Sequence, residues 1–144
     1  MTTLTHSSTT RRMLIALVWT LQVGSAAMFL FAGGLKLASV PLMVHEFEII
    51  GLGQWFRYFT GGLEVICAVL LLVPSFAFFG AVALAATMVG AILAHLFIIG
   101  GSPAVPIVLL ASTTLIAWTR GHTDLVASRT ALRYDWWFTS PQES

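Results

Sequence analysis

The chain has 144 residues, of which 58% are hydrophobic and 9% are charged, and its formal net charge at pH 7 is +1. Soluble domains carry about 25% charged residues, and a chain of this length cannot bury so much apolar surface in a core of its own. This balance excludes an ordinary soluble domain and indicates an integral membrane protein surrounded by the lipid bilayer.

Charge and cysteine content exclude further classes. A net charge near zero gives no reason to expect a nucleic-acid partner. The single cysteine, Cys67, excludes an internal disulfide and a Cys-x-x-Cys redox pair.

The first segment, residues 1–12, is rich in serine and threonine and predicts a disordered stretch. Its end, Thr10-Arg11-Arg12, followed by an apolar run, weakly imitates an export signal. The apolar core of such a signal has about 7–15 residues, and this run continues to Leu35. We therefore expect an uncleaved membrane anchor.

Four apolar runs predict spanning helices, because about 20 apolar residues cross a bilayer. The runs cover about 13–35, 54–73, 77–99 and 103–119. The predicted fold class is all-α: a four-helix transmembrane bundle at residues 13–119, with residues 120–144 as a C-terminal tail.

The long connection between the first and second predicted helices contains a periodic pattern. Val44, Phe47 and Ile50 recur near helical spacing. This pattern predicts a short amphipathic segment that lies on the outer ends of the bundle.

The distribution of basic residues predicts the orientation. Five arginines flank the bundle on the side of the termini, and two basic residues lie in or beside the first connection: Arg11, Arg12, Arg120, Arg129 and Arg133 against Lys36 and Arg57. Positive residues favour the inside. We expect a multi-pass protein of a bacterial inner membrane with both termini in the cytoplasm.

One acid lies inside the apolar runs. Counted from Pro74-Ser75, Glu64 lies about 15 Å along the second helix, near the bilayer midplane. Neutral polar residues fall at similar depths: Gln22, Thr87, Ser112 and Thr113. We expect Gln22 and the fourth-helix hydroxyls to bond Glu64, and these residues to line a ligand site. An intramembrane acid indicates function by default, so Glu64 is the candidate proton donor or acceptor. The alternative is a protonated carboxylic acid that bonds neighbouring helices and holds the bundle together.

A second polar layer is predicted at the outer ends, where Lys36, Arg57 and His95 lie. Lys36 and Arg57 are interpreted as snorkelling anchors or as groups that bind the polar end of a ligand. His95 is the second candidate catalytic residue, and the alternative is a histidine bonded to a loop carbonyl. It lies about 15 Å in depth from Glu64, which excludes a direct contact between the two.

No metal site is predicted. A haem held by His45 and His95 is an alternative, but these histidines have no diagnostic spacing. A metal site that also uses Glu46 and Glu48 is disfavoured, because these two side chains point in different directions from a helix.

Two further sequence features could each make contacts either within this chain or membrane or with another protein. The aromatic residues 134–138 suit either an interfacial belt or a docking surface for a cytoplasmic protein. Small residues four apart, as at Ala86, Gly90 and Ala94, favour close helix packing, either within the chain or in a homo-oligomer.

An ordered set of short motifs resembles the DoxX-like family of small four-helix membrane proteins, over about residues 24–119. The motifs are FLFAGGLKL at 29–37, GLGQW at 51–55, GLEVICAVLLLVP at 62–74 and MVGA at 88–91 followed by His95. In this pattern Cys67 stands where a small residue is expected.

The resemblance implies the fold more firmly than the activity. Some relatives are associated with sulfur or quinone redox systems, and others with oxidative-stress complexes or with assembly of larger membrane proteins. The expected role is an accessory subunit of a membrane redox system, with a lipophilic quinone-like ligand and a partner membrane protein. The alternatives are an intramembrane enzyme with Glu64 as general acid, a small transporter or an assembly chaperone.

Overall fold

The computed structural model describes the backbone of residues 4–139 and the side chains of residues 12–121. This backbone contains five α-helices and one π-helical turn, and no strand. They are α1 (Leu4–Leu37), α2 (Pro41–Ile50), α3 (Gln54–Leu72), α4 (Ala77–Ala94), the π-helical turn (His95–Ile99) and α5 (Ala104–Thr139). The predicted all-α fold class is confirmed.

Four of these segments are long and apolar enough to cross a membrane. They are Arg12–Leu37, Gln54–Leu72, Ala77–Ile99 and Ala104–Gly121. The four predicted runs are therefore confirmed. Four crossings return the chain to the side on which it starts, so we call that side the terminal side and the opposite one the connecting side.

The two end helices are longer than their spans. Helix α1 begins at Leu4, although disorder was expected for residues 1–12, and α5 continues to Thr139. The aromatic residues 134–138 have no described side chains, so their role lies outside the described residues. The division into cytoplasmic ends and a membrane domain stays a prediction, as does the orientation.

The helices pack in chain order around the bundle. Helix α1 packs on α3, α3 on α4 and α4 on α5, and a smaller contact between α1 and α5 closes the ring. The core contains mainly apolar side chains from all four spans: Ala26, Phe29, Cys67, Ala68, Leu71, Ala81, Leu84, Met88, Leu109 and Ile116.

Helix α2 lies on the connecting side, against α3, the π-helical turn and α1. Its buried Phe47 packs on Phe56 of α3, with ring centroids 6.0 Å apart. Gly51 ends it in the left-handed conformation, at φ 77°, which glycine adopts without steric cost. The predicted amphipathic segment is confirmed as this helix.

Glycines set the distance between α1 and α3. A Cβ atom on Gly33 would lie 2.9 Å from the carbonyl oxygen of Gly61, and one on Gly61 would lie 3.1 Å from the carbonyl oxygen of Gly33. The two helices therefore cross at these glycines with their backbones nearly in contact. Gly80 of α4 packs equally closely on the backbone of α3.

Candidate functional site

Lys36 and Glu64 form an ion pair between the first two spans. Lys36 lies in the last turn of α1 and Glu64 lies midway along α3. The Lys36 Nζ is 2.6 Å from the Glu64 Oε2, and the side chains are 15% and 4% exposed. We call this contact the Lys36/Glu64 pair.

The glycine crossing explains how the pair forms. Lys36 follows Gly33 by three residues and Glu64 follows Gly61 by three. In antiparallel helices the two backbone positions are then offset by about 9 Å along the axis. Each side chain leans toward the N-terminus of its own helix, so Lys36 leans inward from the connecting side and Glu64 leans outward. The two side chains close the offset from both ends.

The structure corrects the predicted partners of Glu64. Gln22 and the fourth-helix hydroxyls do not bond it, and the two predicted polar layers meet in the Lys36/Glu64 pair. Depth along a helix axis gives the position of each residue's backbone but not the direction in which its side chain points. The long Lys36 side chain and the Glu64 side chain lean toward each other and together close the distance between the two layers.

Arg57 is buried at 2% exposure, so its interpretation as a snorkelling anchor was wrong. Its Nη1 donates to the Lys36 carbonyl oxygen, its Nη2 donates to the Ser39 Oγ at 3.1 Å and its Nε donates to the Gln54 Oε1 at 2.7 Å. The guanidinium also stacks 4.2 Å from the centroid of the Tyr58 ring. The last carbonyls of a helix lack partners within it, and Arg57 supplies one for α1.

Sequence reasoning missed Ser39, Gln54 and Tyr58. Ser39 has a positive φ of 56° just after α1, and its hydroxyl lies 3.0 Å from the Tyr58 hydroxyl. Its place directly after a helix that ends in lysine is a weak signal of a helix end. No motif in the sequence links it to Arg57.

Gln22 lies on the terminal side, far from the Lys36/Glu64 pair, and it is fully buried. Its Nε2 donates to the Leu71 carbonyl oxygen, and its Oε1 accepts from the Arg120 Nε at 3.0 Å and Nη2 at 2.6 Å. The guanidinium of Arg120 lies 5.0 Å from the centroid of the Trp19 ring. Gln22 therefore links α1, α3 and α5. It supplies a hydrogen-bond donor for the Leu71 carbonyl near the end of α3, as Arg57 does for the Lys36 carbonyl at the end of α1.

The hydroxyl residues predicted to line the site donate hydrogen bonds to backbone carbonyls of their own helices. Thr87, Ser112 and Thr113 donate to carbonyls three or four residues earlier, at 2.7, 2.9 and 2.8 Å. The hydroxyl of Ser25 on α1 also donates to Ser112 at 3.1 Å. These hydroxyls fasten α1 to α5 or remain within their helix, so they do not join Glu64 in one site.

His95 opens the π-helical turn at the connecting end of α4. Its Nδ1 lies 2.8 Å from the Ala91 carbonyl oxygen. Among the residues whose side chains are described, no three His, Cys, Asp or Glu side chains come together in a way that would hold a metal.

The chemical capacity of the site lies in the Lys36/Glu64 pair. Lys36, Arg57 and Glu64 carry two positive charges and one negative charge when ionised. Arg57 donates to backbone and side-chain acceptors, whereas the Lys36 ammonium has three donors and bonds to the Glu64 carboxylate. Within the described residues, every buried polar side-chain atom has a hydrogen-bond partner.

The comparisons with known proteins agree with this architecture. The model of the DoxX-like family matches residues 20–118. No curated protein and no solved structure matches the chain. The family match covers well over half of the chain and includes Lys36, Arg57 and Glu64. Together with the four spans, it shows that the chain is an integral membrane protein and belongs to the DoxX-like family.

Proposed function

We propose that the chain is an accessory subunit of a membrane redox system and binds the polar head of a lipophilic, quinone-like molecule at the Lys36/Glu64 pair. The observation that carries this proposal is a close ion pair inside the apolar spans, with its lysine 15% exposed and its glutamate 4% exposed. A ligand would therefore approach the pair from the Lys36 side, which is the more exposed of the two.

A purely structural role gives a weaker account of the pair. Placing charged groups within a membrane is costly, and well-packed apolar side chains often stabilise a protein as well as a buried ion pair does. Helices α1 and α3 are already held by the contact of Gly33 with Gly61 and by the bonds of Arg57 to the end of α1. A charged pair kept beside these contacts favours recognition of a ligand.

The donors and acceptors of the pair define the ligand class. The Lys36 ammonium can donate to an acceptor such as a carbonyl oxygen, and the Glu64 carboxylate can accept from a donor such as a hydroxyl. A quinone ring supplies carbonyl oxygens, and its reduced form supplies hydroxyls. An apolar tail suits the many lipid-facing side chains of the spans, such as Phe31 and Phe59.

The ligand proposal is tested on protein purified from membranes in mild detergent. Molecules extracted with organic solvent are identified by mass spectrometry for the wild type, Lys36→Met and Glu64→Gln. Loss of one charge-assisted hydrogen bond predicts a fall in recovered quinone of about tenfold. The control is Thr114→Val, which removes an exposed hydroxyl bonded within α5. Equal quinone recovery from all four proteins contradicts the proposal.

The accessory role is tested separately by purifying the wild type from its native membrane. We expect a second membrane protein at fixed stoichiometry. A chain that purifies alone and retains quinone contradicts the accessory role and leaves the ligand site supported.

A second candidate is an intramembrane enzyme that acts on a lipophilic substrate. The separation of 2.6 Å between the Lys36 Nζ and the Glu64 Oε2 favours it, because a proton passes readily over that distance. Lys36 would pass a proton to the Glu64 carboxylate, Glu64 would donate that proton to the substrate, and the neutral Lys36 amine would regain a proton from water. Glu64→Gln is then folded but inactive, while quinone content is unchanged.

A further inference from the structure

The Lys36/Glu64 pair is enclosed on most sides. The Glu64 side chain is 4% exposed and the Lys36 side chain is 15% exposed. The carbonyl and hydroxyl groups of a quinone are attached to a planar ring, so contact with the carboxylate needs more space than this exposure gives. A ligand that binds the pair therefore needs one element of the bundle to move aside.

The contacts between the spans resist such a movement. Gly33 and Gly61 bring the backbones of α1 and α3 nearly into contact, and Gly80 of α4 packs closely on the backbone of α3. Close backbone packing of this kind holds membrane helices together. The spans are therefore the fixed part of the bundle around the pair.

Helix α2 lies outside the four spans, and a chain of hydrogen bonds links it to the pair. The Gln54 Nε2 donates to the Val44 carbonyl oxygen of α2 at 3.2 Å, and the Gln54 Oε1 accepts from the Arg57 Nε. Arg57 donates in turn to the Lys36 carbonyl oxygen. Arg57 precedes Glu64 by seven residues, so it lies two turns nearer the connecting side on the same face of α3. The order from the connecting side inward is therefore α2, Gln54, Arg57 and the pair.

Few buried groups attach α2 to the spans. Among its ten residues, all of them described, only Phe47 is buried, and it packs on Phe56 of α3. The turn after α2 contains Gly51 and Gly53, with φ angles of 77° and 86°. Glycine changes its backbone angles at little steric cost, so this turn has the properties of a hinge. Segments with few buried contacts open locally while the rest of a protein stays folded.

We propose that α2 is a lid over the Lys36/Glu64 pair, which swings about the turn at residues 51–53 and admits the polar head of the ligand from the connecting side. The Phe47 ring and the bond between Gln54 and Val44 hold the lid closed. The lid rests on the proposed function, because it controls access to the proposed ligand site, but its movement is measured without a ligand.

The experiment measures how fast Glu64 reacts with dicyclohexylcarbodiimide, an apolar reagent for carboxyl groups, in the full chain in mild detergent. Mass spectrometry of peptides separates Glu64 from Glu46 and Glu48 of α2. Phe47→Ala removes the buried ring that holds α2, so we expect labelling of Glu64 to be about tenfold faster. Leu42→Ala is the matched control, because Leu42 lies on the same helix and is 62% exposed. Its labelling rate is expected to equal that of the wild type.

Equal labelling rates in all three proteins overturn the lid, and so does equal acceleration in Phe47→Ala and Leu42→Ala. Hydrogen–deuterium exchange of the wild type is a second measurement, which decides the proposal if Phe47→Ala does not fold. The amides of α2 are expected to exchange by an opening that leaves the amides around Glu64 protected. Exchange of both segments at one rate overturns the lid.

Recovery of quinone from the purified protein is a separate readout. Faster labelling in Phe47→Ala, in a protein from which no quinone is recovered, refutes the quinone proposal and supports the lid. Recovered quinone together with equal labelling rates refutes the lid and supports the quinone proposal.

Discussion

Replacing Lys36 by methionine leaves the Glu64 carboxyl group, 4% exposed, without its ammonium partner. Removing one member of a buried ion pair costs about 3–5 kcal/mol in soluble proteins. Single polar contacts between membrane helices average about 0.6 kcal/mol and reach about 1.7. Because the carboxyl group can take up a proton, we expect Lys36→Met to lower the free energy of unfolding by about 2 kcal/mol.

Replacing the other member of the pair is expected to lower the free energy of unfolding by less. Glu64→Leu leaves Lys36 unpaired, but this side chain is 15% exposed and can turn its ammonium toward the membrane surface. We expect a loss of about 1 kcal/mol. In Lys36→Met/Glu64→Leu both charges are gone and apolar groups meet, so the loss stays near 1 kcal/mol. The single losses add to about 3 kcal/mol, which leaves a coupling energy of about 2 kcal/mol.

The assay is reversible unfolding in mixtures of mild detergent and dodecyl sulfate, followed by circular dichroism. Thr114→Val is the control, with an expected change within about 0.5 kcal/mol. A double variant whose loss equals the sum of the two single losses refutes a coupled pair. The site would then consist of two independent polar residues.

Three further predictions concern packing and topology. Gly80→Ala places a Cβ atom 2.8 Å from the backbone of α3, so we expect a lower melting temperature and a loss of about 1–3 kcal/mol, whereas Gly90→Ala, which has open space, is expected to be neutral or stabilising. Arg57→Lys cannot reproduce three bonds in different directions, so we expect a loss of about 2 kcal/mol in the same unfolding assay, and an unchanged midpoint would contradict the capping role. Reporter fusions after Ser144 and within residues 44–50 are expected to report the cytoplasm and the outside, and two reports from one side would exclude four crossings.

The spans were predictable because a bilayer makes length and hydropathy decisive. A run of about 20 apolar residues has few alternatives, and Pro74 marks the short turn between α3 and α4. The same reasoning found α2, since Val44, Phe47 and Ile50 follow helical spacing between two turns. These features depend on local sequence alone.

The contacts of the polar residues were not predictable in this way. Gln22 and Glu64 were assigned to one layer, yet Gln22 bonds to the end of α3 and to Arg120. Arg57 was assigned to the membrane surface because lysine and arginine near helix ends usually extend there. Its burial depends on Ser39 and Gln54, which come together only when α2 folds back on α3.

The Lys36/Glu64 pair does have a sequence signal, but the signal depends on helix direction. Glycine precedes the charged residue by three positions in both helices, at Gly33 and at Gly61. When antiparallel helices cross at those glycines, the two side chains lean toward each other and meet. In parallel helices the same spacing would point both side chains the same way. The opposite direction of the two helices follows from their being consecutive spans, whereas their crossing at Gly33 and Gly61, which makes the pattern informative, comes from the tertiary structure.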